Sequence, residues 1–97
     1  MGLYVIEATD RPEGFELRQS VRPSHLEFIA TLGDRLVLAG PFLDAKERMV
    51  GSLLVVKAGS LVEAEAIAAA DPYAEAGLFA DASVRSWRWV INKPDGV

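Results

Sequence analysis

The chain has 97 residues, a hydrophobic fraction of 51% and a formal net charge of −4. That length suits one domain spanning residues 1–97, and the acidic balance argues against a nucleic-acid partner, whose footprint is a basic patch. The chain has no cysteine, which excludes a disulfide framework, thiolate chemistry and a Cys/His zinc set, and fits a cytoplasmic protein.

Gly2 to Ala8 is a short apolar run with Tyr, Val and Ile and reads as a strand. The segment from Met1 to Ile6 has no basic region and no small-residue cleavage site, so it does not read as a signal peptide. A turn follows from Thr9 to Gly14. From Phe15 to Leu32 the apolar residues Leu17, Val21, Leu26, Phe28, Ile29 and Leu32 fall close to helical spacing. Pro23 interrupts this pattern, so a kink or the start of a second helix is expected there. Gly33 is placed to close the helix.

Arg35 to Phe42 reads as the second strand, ending in Gly40-Pro41, and a polar loop from Leu43 to Arg48 follows. Gly51 to Ala58 is the third strand. Ser60 and Glu63 have the spacing of a capping box, which starts a helix that runs to Ala70. Asp71-Pro72 ends it and is placed to cap a further short helix through Ala76, stopped by Gly77. Val84 to Asn92 reads as the last strand, and residues 93–97 as a loose tail. No apolar run approaches the roughly 20 residues of a membrane span.

The order βαββαβ predicts an α+β, ferredoxin-like domain, an antiparallel four-stranded sheet with helices on one face. A sheet covered on one face should alternate apolar and polar residues. The third strand instead sends Leu53 and Val55 one way and Leu54 and Val56 the other. In the last strand Val84 and Val90 share one face, and Trp87, Trp89 and Ile91 share the other. With two apolar faces and helices for one, the other face needs a partner, most simply a second copy of the chain.

His25 is the only histidine. Together with Asp71 it would supply an imidazole and a carboxylate, the parts of a general acid–base pair. The sequence carries no G-x-G-x-x-G, no Walker-type lysine loop and no other cofactor or metal motif. Each residue also has a plain structural reading. His25 shares a helical stripe with Val21, Phe28, Ile29 and Leu32, where a core histidine needs only a hydrogen-bond partner. Asp before Pro is the pattern of a helix N-cap.

Arg22-Pro23-Ser24-His25-Leu26, Gly40-Pro41, Ser60 with Glu63-Ala64, and Asp71-Pro72-Tyr73 form a series along the chain. This series resembles the YCII-related domain, or YciI-like, family over roughly Leu3 to Trp89. The resemblance implies a dimeric α+β barrel, in which two ferredoxin-like sheets pack face to face, and an active site built on His25 and Asp71. The loop Leu43–Met49 is charged, where relatives often carry small residues and glycines.

Around that pair, Arg22 would clamp a substrate carboxylate, and Arg18, one helical turn earlier, would line the same rim. Tyr73 would donate a hydrogen bond to a substrate oxygen, and Gly40 and Pro41 would let the strand end approach a ligand. The expected chemistry is cofactor-free proton transfer of lyase or isomerase type on a small anionic or aromatic compound. Muconolactone isomerase, which shares the barrel architecture, is the analogy at fold level. A dimeric metabolite-binding or regulatory module is the alternative. Haem-linked chemistry with His25 as axial ligand is a third reading, unsupported by any other residue.

Overall fold

The computed structural model describes residues 2–97; Met1, part of the single-domain and N-terminal readings, lies outside the described residues. The elements are β1 (Gly2–Asp10), α1 (Phe15–Leu32), β2 (Leu36–Leu43), β3 (Met49–Ala58), α2 (Leu61–Ala70), α3 (Pro72–Glu75) and β4 (Phe79–Trp87), with a short 3-10 turn, Gly33–Arg35, between α1 and β2. The four strands form one antiparallel sheet in the order β2-β3-β1-β4. This is the ferredoxin-like α+β arrangement expected from the sequence.

The register divides the sheet residues into two sets. Tyr4, Ile6 and Ala8 of β1 pair with Val56, Leu54 and Ser52 of β3, and Ile6 pairs with Val84 of β4. These residues face the helices. The core cluster is Ile6, Leu54, Val56 and Ala58 from the sheet, with Leu32 of α1 and Ala64 and Ile67 of α2. Ala58 and Ala64 are fully buried, and their small size allows α2 to lie close on the sheet. The intervening residues, Leu3, Val5, Leu53, Val55, Leu38 and Trp87, occupy the other face, which no helix covers. Val55 is buried there, while Phe42 and Trp87 remain 41% and 40% exposed.

α1 runs unbroken through Pro23, where a kink or a second helix was expected. Pro23 has no N–H for the carbonyl of Gln19, but both residues lie on the exposed side of the helix, so that carbonyl faces solvent rather than a dry interior. The helix ends at Gly33, whose φ of 55° suits glycine. The Ser60 cap at the start of α2 forms as read, Ser60 Oγ accepting from the Glu63 amide at 3.1 Å, while the return bond of Glu63 Oε2 goes to the N–H of Gly59, one residue before the N-cap, at 3.1 Å.

The last strand differs from its sequence reading by about five residues. It begins at Phe79 and stops at Trp87, although the β-branched and aromatic residues cluster from Val84 to Ile91. Pairing with β1 decides this. Asp10 pairs with Phe79 and Leu3 with Trp87, so β1, which begins at Gly2, has at most one described residue left to hold the chain further on. Ala80, Asp81 and Ser83 are poor strand formers drawn into the sheet by that register. Trp89, Val90 and Ile91 therefore lie beyond the strand and share no sheet face. β1 also continues to Asp10, through residues read as a turn, and β3 starts at Met49 rather than Gly51.

Gly51 of β3 pairs with Thr9 of β1 and Phe42 of β2. A Cβ there would stand 2.5 Å from the carbonyl oxygen of Ala8 and 3.2 Å from the Phe42 ring. Gly51→Ala should therefore destabilise the fold by about 1–3 kcal/mol through overpacking. Ser60→Ala, which removes only a cap, should cost about 1 kcal/mol. Thermal melts of the two variants test the ranking. At roughly 4–8 °C per kcal/mol for a domain of this size, Gly51→Ala should melt at least as low as Ser60→Ala.

Candidate active site

α1 lays Arg18, Arg22, His25 and Ile29 along one stripe, at the three- and four-residue spacings that share a helix face. α3 meets this stripe with the segment Asp71–Tyr73. Asp71 precedes Pro72, which cannot continue α2 because it lacks an N–H. The chain turns at Asp71, with an extended backbone, and restarts as α3. Asp71 Oδ1 accepts the Tyr73 amide at 2.9 Å, so the carboxylate caps the new helix. The same oxygen lies 3.0 Å from His25 Nδ1. A carboxylate can only accept, so Nδ1 carries the proton and donates it. His25 Nε2 is then the ring nitrogen left for chemistry.

Both bonds fall on Oδ1. Asp71 is 4% exposed. Tyr73 adds a second contact, its ring stacked on the imidazole with centroids 4.1 Å apart and planes inclined by 20°. The histidine ring is held at its edge by the carboxylate and on its face by the phenol ring.

Arg18 stands elsewhere than expected. Arg22 is exposed at the cavity mouth, but Arg18 is 2% exposed and forms part of the cavity wall. Its Nε and Nη2 donate to Asp10 Oδ2 and Oδ1 at 2.7 and 2.8 Å, and Nη2 also donates to Ser52 Oγ at 2.9 Å. Its guanidinium carbon lies 4.5 Å from the centre of the Tyr73 ring. Burial alone would pull the Arg18 pKa down; the hydrogen bonds and charge of Asp10 outweigh it, and the pKa rises above its ordinary value. Burial also raises the Tyr73 pKa, although the charges of Arg18 and Arg22 draw it partly back. The phenol therefore stays protonated at neutral pH.

These side chains enclose a cavity of about 320 Å³, at the small end of the range for ligand sites, roughly 300–1,000 Å³. Arg18, Arg22, His25, Ser52 and Tyr73 supply its polar groups, and Leu26, Ile29, Leu36, Met49 and Leu54 its apolar walls. Gly40 and Pro41 line it from β2. A larger hollow of about 780 Å³ lies at the far end of the sheet beside Trp87 and Trp89. It gathers Lys57, Arg88 and Lys93 and, among the described residues, no hydrogen-bonded acid–base pair. Among the described residues no group of three or more His, Cys, Asp or Glu side chains is arranged to hold a metal.

Asp10 and Ser52 were not singled out from the sequence. Asp10 stood in a segment read as a turn, and one serine within an apolar strand offers no motif. The available signal was pairing: Ala8 opposite Ser52 brings the end of β1 beside the middle of β3.

The family model for the YCII-related domain matches residues 2–88. The chain belongs to the YCII-related family. It is 40% identical to Protein YciI of Escherichia coli O6:H1, over 92% of this chain and 99% of that protein. It is 34% identical to the derivative of benzaldehyde biosynthesis cluster protein C of Emericella nidulans, over 76% of this chain and 85% of that one. Among solved structures, the YCII-related chain resembles 5-chloro-2-hydroxyhydroquinone dehydrochlorinase (TftG) of Burkholderia phenoliruptrix AC1100, in complex with 2,5-dihydroxybenzoquinone. That match has a TM-score of 0.83 and 32% identity, and covers 89% of this chain and 93% of the other. An antibiotic biosynthesis monooxygenase, with a TM-score of 0.57 and 11% identity, shares the fold alone.

The Arg18–Asp10 pair gives a direct test of how the site is held. Asp10→Ala would leave a buried guanidinium without its counter-charge, which should cost about 3–5 kcal/mol. A urea melt of this variant should show a midpoint far below that of the parent. A shift under 1 kcal/mol would mean that Arg18 is solvated in place.

Proposed function

We propose that this protein catalyses cofactor-free proton transfer on a small hydroxylated aromatic or quinone-like compound, as a lyase or isomerase. The observation that carries this reading is the 3.0 Å contact between His25 Nδ1 and Asp71 Oδ1 at the wall of a cavity of one-ring dimensions. His25 Nε2 is the general base. Asp71 fixes the tautomer and stabilises the imidazolium that forms when the proton is taken. In an elimination, the electron pair left behind flows through the ring, and the leaving group departs with its bonding pair. In an isomerisation, His25 returns the proton to another atom. Arg22 at the mouth and the protonated Tyr73 phenol orient the substrate oxygens, and Gly40 and Pro41 bring the β2 backbone against the ring. The dehydrochlorinase activity and dihydroxybenzoquinone ligand of the structural relative support this substrate class.

His25→Asn should keep the fold and lower turnover by roughly 100- to 10,000-fold, the usual contribution of a general acid–base group. Asp71→Asn should retain much of the cap, since Asn caps about as well as Asp, and still lose activity because the charge that favours the imidazolium is gone. Chloride release from chlorinated hydroxyhydroquinones is the assay to try first. If His25→Asn unfolds the protein and Asp71→Asn changes nothing, His25 is structural. If a ligand binds His25→Asn with unchanged affinity and no substrate turns over, the protein is a binding module.

The same reading includes a homodimer in which a second copy covers the open sheet face. Val55, Leu53, Leu38, Phe42 and Trp87 give that face an apolar character unsuited to water. An obligate interface of this kind buries on the order of 2,000 Å² or more. Sedimentation equilibrium at low micromolar concentration should give twice the chain mass; a clean monomer at that concentration would exclude this assembly.

A further inference from the structure

Ser52 and the far side of Arg18 are not used by the proton-transfer scheme, yet both line the cavity. Ser52 is 4% exposed. Its Oγ accepts from Arg18 Nη2, and its own O–H finds no acceptor among the described residues. Arg18 spends Nε and both hydrogens of Nη2 on Asp10 and Ser52, while Nη1, with two further N–H groups, makes no well-aligned hydrogen bond among the described residues, the Tyr73 hydroxyl being the polar group of the wall that interacts with the guanidinium. No fully buried polar side-chain atom among them lacks a partner, so Nη1 keeps a small exposed surface, and the cavity is the space that Arg18 lines. Two arginines border this cavity and no carboxylate does, in a chain of net charge −4. Asp10 and Asp71 approach from behind, each engaged by a cation or donor of the wall.

We propose that Arg18 Nη1 and the Ser52 hydroxyl form a donor pair that recognises an anionic oxygen of the ligand: a phenolate, an enolate or an acidic quinone hydroxyl. The inference deepens the reading above, because both place the ligand in the same cavity. A serine hydroxyl that accepts a bond from a cation is polarised into a stronger donor. Asp10 fixes the guanidinium by two bonds, so the pair is oriented before the ligand arrives and little ordering remains to be done on binding. The apolar residues opposite accept the ring body. Ser52 thus selects ligands by the charge state of one oxygen, which removal of a single methyl group from a phenol ether would change.

The test compares two probes in binding titrations, 2,5-dihydroxybenzoquinone and its dimethyl ether, in which the oxygens are blocked. No turnover is needed, so the result stands apart from whether the protein is a lyase. The parent protein should prefer the dihydroxy compound. Ser52→Ala should weaken that compound by about 10- to 100-fold, the scale of one hydrogen bond to a charged group, and leave the dimethyl ether unchanged. Ser52→Thr, which restores the hydroxyl, should recover most of the affinity. Thermal melts establish that both variants are folded. No preference of the parent protein for the anionic probe, or an equal loss for both probes in Ser52→Ala, would overturn the proposal.

Discussion

Asp71 Oδ1 is the atom on which the site depends. It accepts a backbone amide from Tyr73 and the imidazole N–H of His25, so one oxygen starts α3 and fixes the orientation of the imidazole. The two bonds support each other. The cap sets the direction in which α3 leaves the turn, which brings the Tyr73 ring against the imidazole. The imidazole in turn supplies a donor to a carboxylate that is almost wholly out of water. A buried carboxylate without such donors would be costly. In this small domain the catalytic candidate and a helix terminus share their hydrogen bonds.

Arg18 extends the same logic to charge. A guanidinium in the wall of a cavity is unfavourable unless it is matched, and Asp10 matches it with two short bonds. The pair lies beneath Tyr73 and beside Ser52, so the phenol ring has imidazole and guanidinium contacts at once. Buried ion pairs contribute little net stability on average. Here the pair also fixes the direction of the remaining N–H groups of Arg18 at the cavity wall.

Much of the architecture was legible because local signals agreed with one another: the capping box at Ser60, the glycine at position 33, Asp71-Pro72, and strand runs rich in Leu and Val. The doubly apolar third strand correctly implied a sheet face that no helix of this chain covers. His25 and Asp71 stood out as the only histidine and an Asp-Pro pair, and Tyr73, Arg22, Gly40 and Pro41 came to the same cavity. What the sequence hid was non-local. Residues 79–83 have weak strand propensity and became a strand only because β1 was available to pair with them. Asp10 and Ser52 are unremarkable in sequence, and only the β1–β3 register brings them to Arg18. Arg18 was assigned to the rim because helical periodicity gives direction around an axis but not depth.

Pro41 lies on β2, the outer strand of the sheet beyond β3. A free strand edge is a template for unwanted pairing with another chain, and a residue without an N–H leaves a gap in the row of donors and acceptors such pairing requires. The residue that borders the candidate cavity thus also stands where an interrupted strand edge disfavours pairing with another chain. Replacing it to reshape the cavity would carry a solubility consequence that no inspection of the active site alone would anticipate.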